Sequence, residues 1–394
     1  MLLTTLPWNL APDLPWRFYT PPTEKWATQP SFVVGEILFI GLALLALWHA
    51  SKQPNDSSDN QRRRHLLAWG AALLAGTVND VIFMALPLVD NFWQAQAIIM
   101  LTPRLPLYIP CVYVCFMYFP TVAVWRFGLP PLAGAALSGL AGSLFYAPYD
   151  IVGAKFLWWT WHDSDMPINN RLLGAPIGST MWVITFVAAF AWLLTRALRS
   201  DPAVSSRTVA KALALVGGLS TLAMMVQMTA LQQLDGGVPG VISLITVIAL
   251  YLGLIAREFG KRQPRRPQTA ERVLLGGAIA YFGTLAVVMA VFEPETHHSA
   301  SLHQTYGPCH IEQKDITGMT RFKYVCVEDY DEDYHFGCVK GLPAAETDWY
   351  TVCGKGHSDF PLWLGGVAGL GVLGVLGYAG LLVRGAPPKG SAAS

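Results

Sequence analysis

The residues best suited to chemistry in this sequence are ionisable side chains inside long apolar stretches. Three such stretches hold them: Glu36 lies in the first, Asp80 with its polar neighbour Asn79 in the second, and Arg104 in the third. A carboxyl group in apolar surroundings can transfer a proton, and a charge at that depth needs a partner. We expect Arg104 to pair with Asp80 first and with Glu36 second. The simplest alternative is an ion pair that only fixes helix register.

A second group of candidates lies in the run YDIVGAKFLWWTWHDSDMPINN, residues 149–170. Tryptophans favour a membrane interface, because the indole ring is apolar and its N–H is wet. That preference leaves the accompanying acids, lysine and histidine unexplained, whereas a polar chamber opening outward would explain them. We assign acid–base roles to Asp80, Glu36, His162 and Asp163. Ligand-binding roles fall to Asn79, Arg104, Tyr146, Asp150, Lys155, Trp158, Trp159, Trp161, Asp165 and Gln227.

The elements that must position these residues are membrane-spanning helices. Only 13% of the 394 residues are charged and 53% are hydrophobic, which excludes an ordinary soluble domain. Stretches of about 20 apolar residues can cross the bilayer, and their backbone must be helical. We predict an all-α polytopic membrane protein with about nine spans: 31–50, 66–88, 96–124, 130–149, 174–195, 211–232, 238–256, 273–292 and 361–383.

Proline shapes the third predicted span. The run LTPRLPLYIP places Pro103, Pro106 and Pro110 around Arg104. Proline removes a backbone donor and kinks a helix, and the freed carbonyls can face a cavity. On the sixth span, Met224, Met225 and Met228 favour an adaptable apolar wall beside Gln227, although ordinary core packing would use the same residues.

Basic residues give the orientation. Seventeen of the 27 Lys and Arg residues fall on one side of the nine predicted spans. The positive-inside rule makes that side cytosolic. We therefore predict an extended extracytosolic arm at 1–30, where prolines interrupt any apolar core of a signal peptide. A membrane domain of eight helices at 31–292 follows. A ninth helix at 361–383 and a disordered cytosolic tail at 384–394 end the chain. The sequence holds no basic patch of the kind that binds nucleic acid.

Residues 293–360 form the one sizeable insert, on the extracytosolic side. It contains Cys309, Cys326, Cys338 and Cys353. Four cysteines in a small translocated insert indicate two disulfides, with three possible pairings. Six histidines in the same insert make a metal site an alternative, but the cysteine spacings of zinc knuckles are missing, and we predict no metal. The insert could also bind a protein partner.

The stretch from Tyr149 to Trp182 resembles a segment of the polytopic carotenoid hydratase and lycopene cyclase-type membrane proteins. In those proteins an aspartate and a W-x-W precede a polar patch, a Gly-x-Pro and a renewed span. The matching residues here are Asp150, Trp159, Trp161, Gly174 and Pro176. The resemblance covers about 35 residues and implies an isoprenoid substrate. The whole layout is more similar to a family of multi-pass eukaryotic membrane proteins of unassigned function, which implies no chemistry.

Three functions follow as hypotheses. The first is an intramembrane enzyme that acts on a lipid-soluble, isoprenoid-like substrate by proton transfer from Asp80 or Glu36. The second is a small-solute or proton-coupled transporter, since ionisable groups lie in neighbouring helices. The third is a receptor or scaffold whose insert binds a partner and whose buried ion pair is structural. Besides the lipid bilayer, the implied partner is a lipid-soluble small molecule; no particular cofactor is indicated.

Overall fold

The computed structural model describes residues 16–57, 59–85, 92–162, 165–258, 260–261, 263–314, 318, 320–326, 333–341, 344–345 and 347–384. Within these ranges the chain forms eleven α-helices. They are α1 Pro22–Thr28, α2 Pro30–Ser51, α3 Gln61–Ala85, α4 Tyr108–Trp125, α5 Pro131–Lys155, α6 Met166–Asn169, α7 Ile177–Arg199, α8 Ser206–Gln232, α9 Val241–Ala256, α10 Thr269–Val291 and α11 Phe360–Val383.

The helical bundle is that of a membrane protein. In the described part of the chain, seven helices are long and apolar enough to cross a bilayer: α2, α3, α4, α7, α8, α10 and α11. The prediction of a polytopic helical membrane protein is confirmed. Helix α9, with 16 residues, and helix α5, with 25, are the other two that we predict to span.

Helix α5 lies at the centre of the bundle, against α4, α7, α9, α10 and α11. Small residues make this position possible, because they let neighbouring backbones approach closely. A Cβ atom added at Gly139 would lie 2.5 Å from the carbonyl oxygen of Ile184, and one at Gly142 would lie 2.9 Å from that of Phe116. Both glycines are therefore required for the contacts of α5 with α7 and α4.

The connections at one end of the bundle assemble into a cap. Strands β1 (Phe92–Gln94) and β2 (Trp159–Trp161) pair antiparallel, with Trp93 opposite Thr160. Strands β3 (Arg171–Leu172) and β4 (Ala175–Pro176) form a second short ladder. The amide of Gln96 donates to the carbonyl of Ala300, which joins the β1 connection to the insert. The cap thus brings distant parts of the sequence over the same helix ends.

The insert forms the rest of the cap. Strands β5 (His298–Tyr306), β9 (Thr347–Gly354) and β8 (Tyr334–His335) make an antiparallel sheet in that spatial order, and β6 (Glu312–Lys314) pairs with β7 (Thr320–Phe322). Disulfides link Cys309 to Cys326 and Cys338 to Cys353, which confirms the predicted disulfide framework. Its small apolar core holds Tyr306, Tyr334, Phe336, Tyr350 and Val352, packed with Trp93 and Leu157 of the cap.

Two expectations about local structure are wrong. The third helix does not begin near residue 96 but at Tyr108, so Pro103, Arg104 and Pro106 precede it. Prolines cannot donate to a helix, and the segment instead pairs with its neighbours in extended bridges at Ile99 and Met100. The N-terminal arm is not extended throughout, because residues 22–28 form helix α1. Residues 1–15 and 385–394 lie outside the described residues.

Candidate functional site

A cavity of about 260 Å³ opens between α3, α4, α5, α7 and α8, below the cap. Its walls are mainly aromatic and apolar. The side chains that line it include Phe83, Phe92, Tyr113, Phe116, Tyr146, Tyr149, Trp159, Trp161, Trp182, Met224, Met225 and Met228. Apolar walls with a few convergent polar groups are typical of a small-molecule site. The volume is close to the lower end of such sites, so the occupant is small or inserts only one end.

The polar anchor of this cavity is Asp80 on α3, whose side chain is 4% exposed. The hydroxyl of Tyr113 donates to Asp80 Oδ1, and the amide of Asn79 donates to that hydroxyl at 3.1 Å. Thr221 of α8 donates to Asn79 Oδ1 at 3.2 Å. Asp80 Oδ2 is buried and has no hydrogen-bond partner among the described residues. An unsatisfied buried polar atom is costly, and Asp80 lines the cavity, so a polar group of a ligand that reaches this oxygen would offset the cost.

A second carboxyl group, that of Asp150 on α5, lies behind the aromatic wall. It is 1% exposed, and neither of its oxygens makes a hydrogen bond of normal geometry with any residue that the structure describes. Ser179 and Tyr146, which line the cavity, are its polar neighbours. The two aspartates therefore lie near a single chamber, one in its wall and one behind it.

The aromatic walls are held in place by ring contacts between helices. Tyr146 of α5 contacts Phe116 of α4 at a centroid distance of 5.0 Å and Trp182 of α7 at 5.9 Å. Trp159 of β2 packs on Tyr149 at 4.7 Å. Aromatic pairs at these distances and tilts are individually favourable. The wall is consequently a fixed surface shared by four elements.

The insert contributes a residue to this site. Arg321 of β7 lines the cavity and is 6% exposed, with its Nη1 3.4 Å from Asp165 Oδ2. The amide of Phe322 donates to Asp165 Oδ1 at 3.1 Å. Asp165 thus fixes the insert over the cavity, and burial raises its pKa against the opposing influence of His162 and Arg321. The disulfide-linked insert is part of the site's cover.

The structure brings together five of the residues predicted to form a site: Asn79, Asp80, Tyr146, Trp159 and Trp161 line the cavity. Other predicted residues lie elsewhere. Glu36 accepts from the amide of Ile98 at 3.0 Å, and Gln227 accepts from Tyr251 at 2.8 Å. His162 hydrogen-bonds the carbonyl oxygen of Tyr324 at 3.1 Å. Asp163 lies outside the described residues.

The structure contradicts the ion pair that we expect for Arg104. Its Nη1 donates to the carbonyl of Met84 at 3.2 Å, at the end of α3. Among the interactions of the described residues, those of Asp80 and Glu36 do not include Arg104. The expected pairing of Arg104 with either acid is therefore wrong, because Arg104 lies before α4 and not within it.

Lys155 belongs to a separate cluster at the junction of α5 and the insert. Its Nζ lies 2.6 Å from Asp333 Oδ2, and Arg171 Nη1 lies 3.1 Å from the same oxygen. The ammonium also lies over the ring of Trp363 at 4.0 Å. Burial alone would raise the pKa of Asp333, but these two cations hold it below its ordinary value. This cluster joins the insert to the bundle.

Trp158 is also outside the cavity. Its indole Nε1 donates to Ser31 Oγ at 3.0 Å, and Ser31 lies 2.7 Å from His297 Nε2. The other ring nitrogen of His297 lies 3.0 Å from the carbonyl oxygen of Glu293. Burial lowers the pKa of His297 to about 4, so the ring is neutral at pH 7. Trp158 thus links α2 to the start of the insert.

Sequence reasoning missed Tyr113, Trp182, Ser179 and Arg321. The sequence contains one feature that is related to Tyr113, the glycine at position 76, one turn before Asp80. In the structure, a Cβ atom added at Gly76 would lie 2.1 Å from Tyr113 Cγ, so this glycine makes room for the ring. Arg321 is more than 150 residues from its partner Asp165 in the chain, and no local pattern connects them.

The bundle, its cap and its aromatic cavity define a polytopic helical membrane protein with a buried acidic chamber. The chain belongs to the DUF7802 family, a domain of unknown function, whose model matches residues 16–363. That match spans the bundle from the segment before α1 to the start of α11. No curated protein and no solved structure matches the chain.

Proposed function

We propose that this protein is an intramembrane enzyme that binds an isoprenoid-like molecule in the aromatic cavity and transfers a proton to it from Asp80. The observation that carries the proposal is Asp80 Oδ2, a buried carboxyl oxygen without a partner in the wall of an aromatic cavity. The short resemblance to carotenoid hydratase-type proteins supports the same substrate class through Asp150, Trp159 and Trp161.

The proposed reaction begins with Asp80 carrying its proton on Oδ2, while Oδ1 accepts from Tyr113. The proton adds to one carbon of a trisubstituted double bond, whose π electrons form the new C–H bond. The neighbouring carbon becomes cationic and faces the rings of the wall, which favour a cation over their faces. Loss of a proton from an adjacent carbon to the Asp80 carboxylate gives an isomerised double bond and restores the acid. Addition of water with return of its proton gives the hydrated product instead.

The cavity is separate from the one at the opposite end of the bundle, which favours a closed chamber rather than a transport pathway. A second cavity of about 470 Å³ lies at the other end, between the ends of α2, α4 and α7 and the starts of α3, α5 and α10. The two cavities share no lining residue among those that the structure describes. Phe119, Phe186 and Phe190 are fully buried in the bundle and line neither cavity.

The test uses full-length protein in detergent and two short isoprenoid probes, farnesol and geranylgeraniol, in D₂O. Wild-type protein should bind a probe and introduce deuterium into it, which mass spectrometry detects. Asp80→Asn should remove deuterium uptake, because the amide cannot act as the acid. The matched control is Glu258→Gln, which makes the same carboxylate-to-amide exchange at the opposite end of the bundle and should leave uptake unchanged.

Two results would contradict the proposal. If neither probe binds to wild-type protein, an isoprenoid-like substrate is ruled out. If a probe binds but takes up no deuterium, the protein binds isoprenoids and the proposed enzymatic activity is ruled out. Mass spectrometry of the lipids that copurify with wild-type protein and with Asp80→Asn then identifies the natural occupant.

A further inference from the structure

The cavity at the end of the bundle opposite the cap is lined by five arginines. Its charged wall consists of Arg64, Arg126, Arg199, Arg265, Arg266 and Glu271. They come from α3, the residue after α4, α7, the segment before α10, and α10 itself. Apolar residues, among them Val122, Leu129 and Leu198, form the remaining wall. Among the described lining residues, five positive charges therefore face one acid around a recess at a helix-bundle end.

The acid in this wall, Glu271, already makes a hydrogen bond within the protein. Glu271 is 7% exposed, and its Oε2 accepts from the backbone amide of Gln268 at 2.8 Å, which completes the N-terminal cap of α10. The other nearby acid, Asp59, is 3.9 Å from Arg64 Nε but half-exposed to solvent. Neither acid neutralises the recess as a whole. An anion in the recess would gain the favourable field of several guanidinium groups.

Arg126 gives the recess a fixed framework. It is 6% exposed, and its Nη2 donates to the carbonyls of Arg265 at 2.6 Å and Arg384 at 2.9 Å. It thereby holds the segment before α10 beside the end of α11. Among the described residues, Arg126 Nε is buried without a hydrogen-bond acceptor, and Arg64 Nε has only Asp59 Oδ1 at 3.9 Å, beyond hydrogen-bond distance. The lining arginines therefore keep donors that the described part of the protein does not satisfy.

We propose that this recess binds a phosphate-bearing headgroup. Guanidinium groups match phosphate with paired hydrogen bonds, which makes arginine the usual residue for such recognition. A volume of about 470 Å³ is within the range of small-molecule sites. Basic pockets between helix ends at a membrane surface are suited to anionic lipid headgroups. The apolar part of the wall suits the glycerol and first carbons of a lipid, although a soluble organic phosphate offers the same phosphate chemistry.

The test measures binding to full-length protein in detergent micelles by native mass spectrometry and a solution titration. The probes are a phosphatidylinositol bisphosphate with eight-carbon chains, free inositol trisphosphate, and phosphatidylcholine of the same chain length. The variant is Arg265→Gln with Arg266→Gln, which removes two exposed charges of the recess and leaves the buried Arg126 in place. The matched control is Arg257→Gln with Arg272→Gln, which removes two charges from the same face outside the recess.

Wild-type protein should bind a phosphorylated probe and not phosphatidylcholine. The recess variant should lose about tenfold or more in affinity, while the control pair should change it by less than about threefold. Equal loss in both pairs would show diffuse surface attraction and overturn the proposal, as would failure of both phosphorylated probes to bind. Preference for the lipid over inositol trisphosphate would assign a membrane source, and equal affinity would assign a soluble one. Thermal unfolding of each variant ensures that the comparison is made on folded protein.

Discussion

Asp80 and Asp333 are both held near the capped end of the bundle, yet their surroundings differ. Asp333 Oδ2 has two cations within about 3 Å, Lys155 at 2.6 Å and Arg171 at 3.1 Å. In the described part of the chain, Asp80 has a tyrosine hydroxyl on one oxygen and no partner on the other. One carboxylate is paired with positive charge from two parts of the chain, α5 and β3. The other faces an aromatic cavity.

This difference separates a structural acid from a functional one. A buried ion pair is strongly destabilised when one partner is removed, because the other charge stays buried without compensation. A polar atom that the protein leaves unsatisfied costs stability and persists where it serves another purpose. The same exchange of aspartate for asparagine should therefore have opposite consequences at the two positions.

The largest effect is expected for Asp333→Asn. Lys155 is 1% exposed, and loss of the carboxylate leaves its ammonium buried beside Arg171, a second cation. We expect the free energy of unfolding to fall by about 3–5 kcal/mol. Thermal unfolding in detergent should show this as a large drop in midpoint.

The control for this variant is Asp359→Asn, an exposed acid just before α11 whose side chain makes no capping hydrogen bond. The double variant Lys155→Met with Asp333→Asn should recover part of the loss, since the buried charge is gone. A small effect of Asp333→Asn alone would mean that the Lys155 cluster is hydrated, and the contrast with Asp80 would disappear.

A slightly smaller effect is expected when the second disulfide is removed. Cys338→Ser opens a loop of 15 residues that ends at Cys353, and loops of this size contribute about 3 kcal/mol. The loss should appear as faster proteolysis of the insert, which supplies Asp333 and Arg321. Deuterium uptake by the isoprenoid probes should also decline, because the destabilised insert no longer covers the cavity. Replacement of the free thiol at Cys111 by serine is the matched control, and equal proteolysis of both variants would contradict the prediction.

Much of the bundle is predictable from sequence because its signal is local. An apolar stretch of about 20 residues becomes a helix wherever lipid surrounds it, and α2, α7, α10 and α11 lie close to their predicted bounds. The segment before Tyr108 is different, since its apolar composition matches a span while its prolines oppose helix. Its extended form depends on a local bridge of Met100 to Pro106 and on a bridge of Ile99 to Tyr19, which is distant in sequence.

The site is less predictable for the same reason. The free-energy cost of a charge within a membrane span identifies Asp80 as a candidate even when its partner is unknown. Trp159 and Trp161 are identified by the aromatic run in which they lie. Pairing depends on where the chain turns, so a start of α4 twelve residues later than expected moves Arg104 away from Asp80. Arg321 reaches the cavity only because the insert folds back over β2, and neither its spacing nor its composition indicates that path.

The smallest effect on stability is expected for Asp80→Asn. The side-chain oxygen of asparagine can still accept from Tyr113, and the amide that replaces Oδ2 takes the place of an oxygen that already has no partner. The exchange removes an ionisable group and breaks no ion pair, so the free energy of unfolding should change by less than about 1 kcal/mol. Thermal unfolding and deuterium uptake measured on the same preparation separate the two roles. An intact unfolding midpoint with lost uptake would establish Asp80 as functional, whereas a drop as large as that of Asp333→Asn would make it a structural acid like its counterpart.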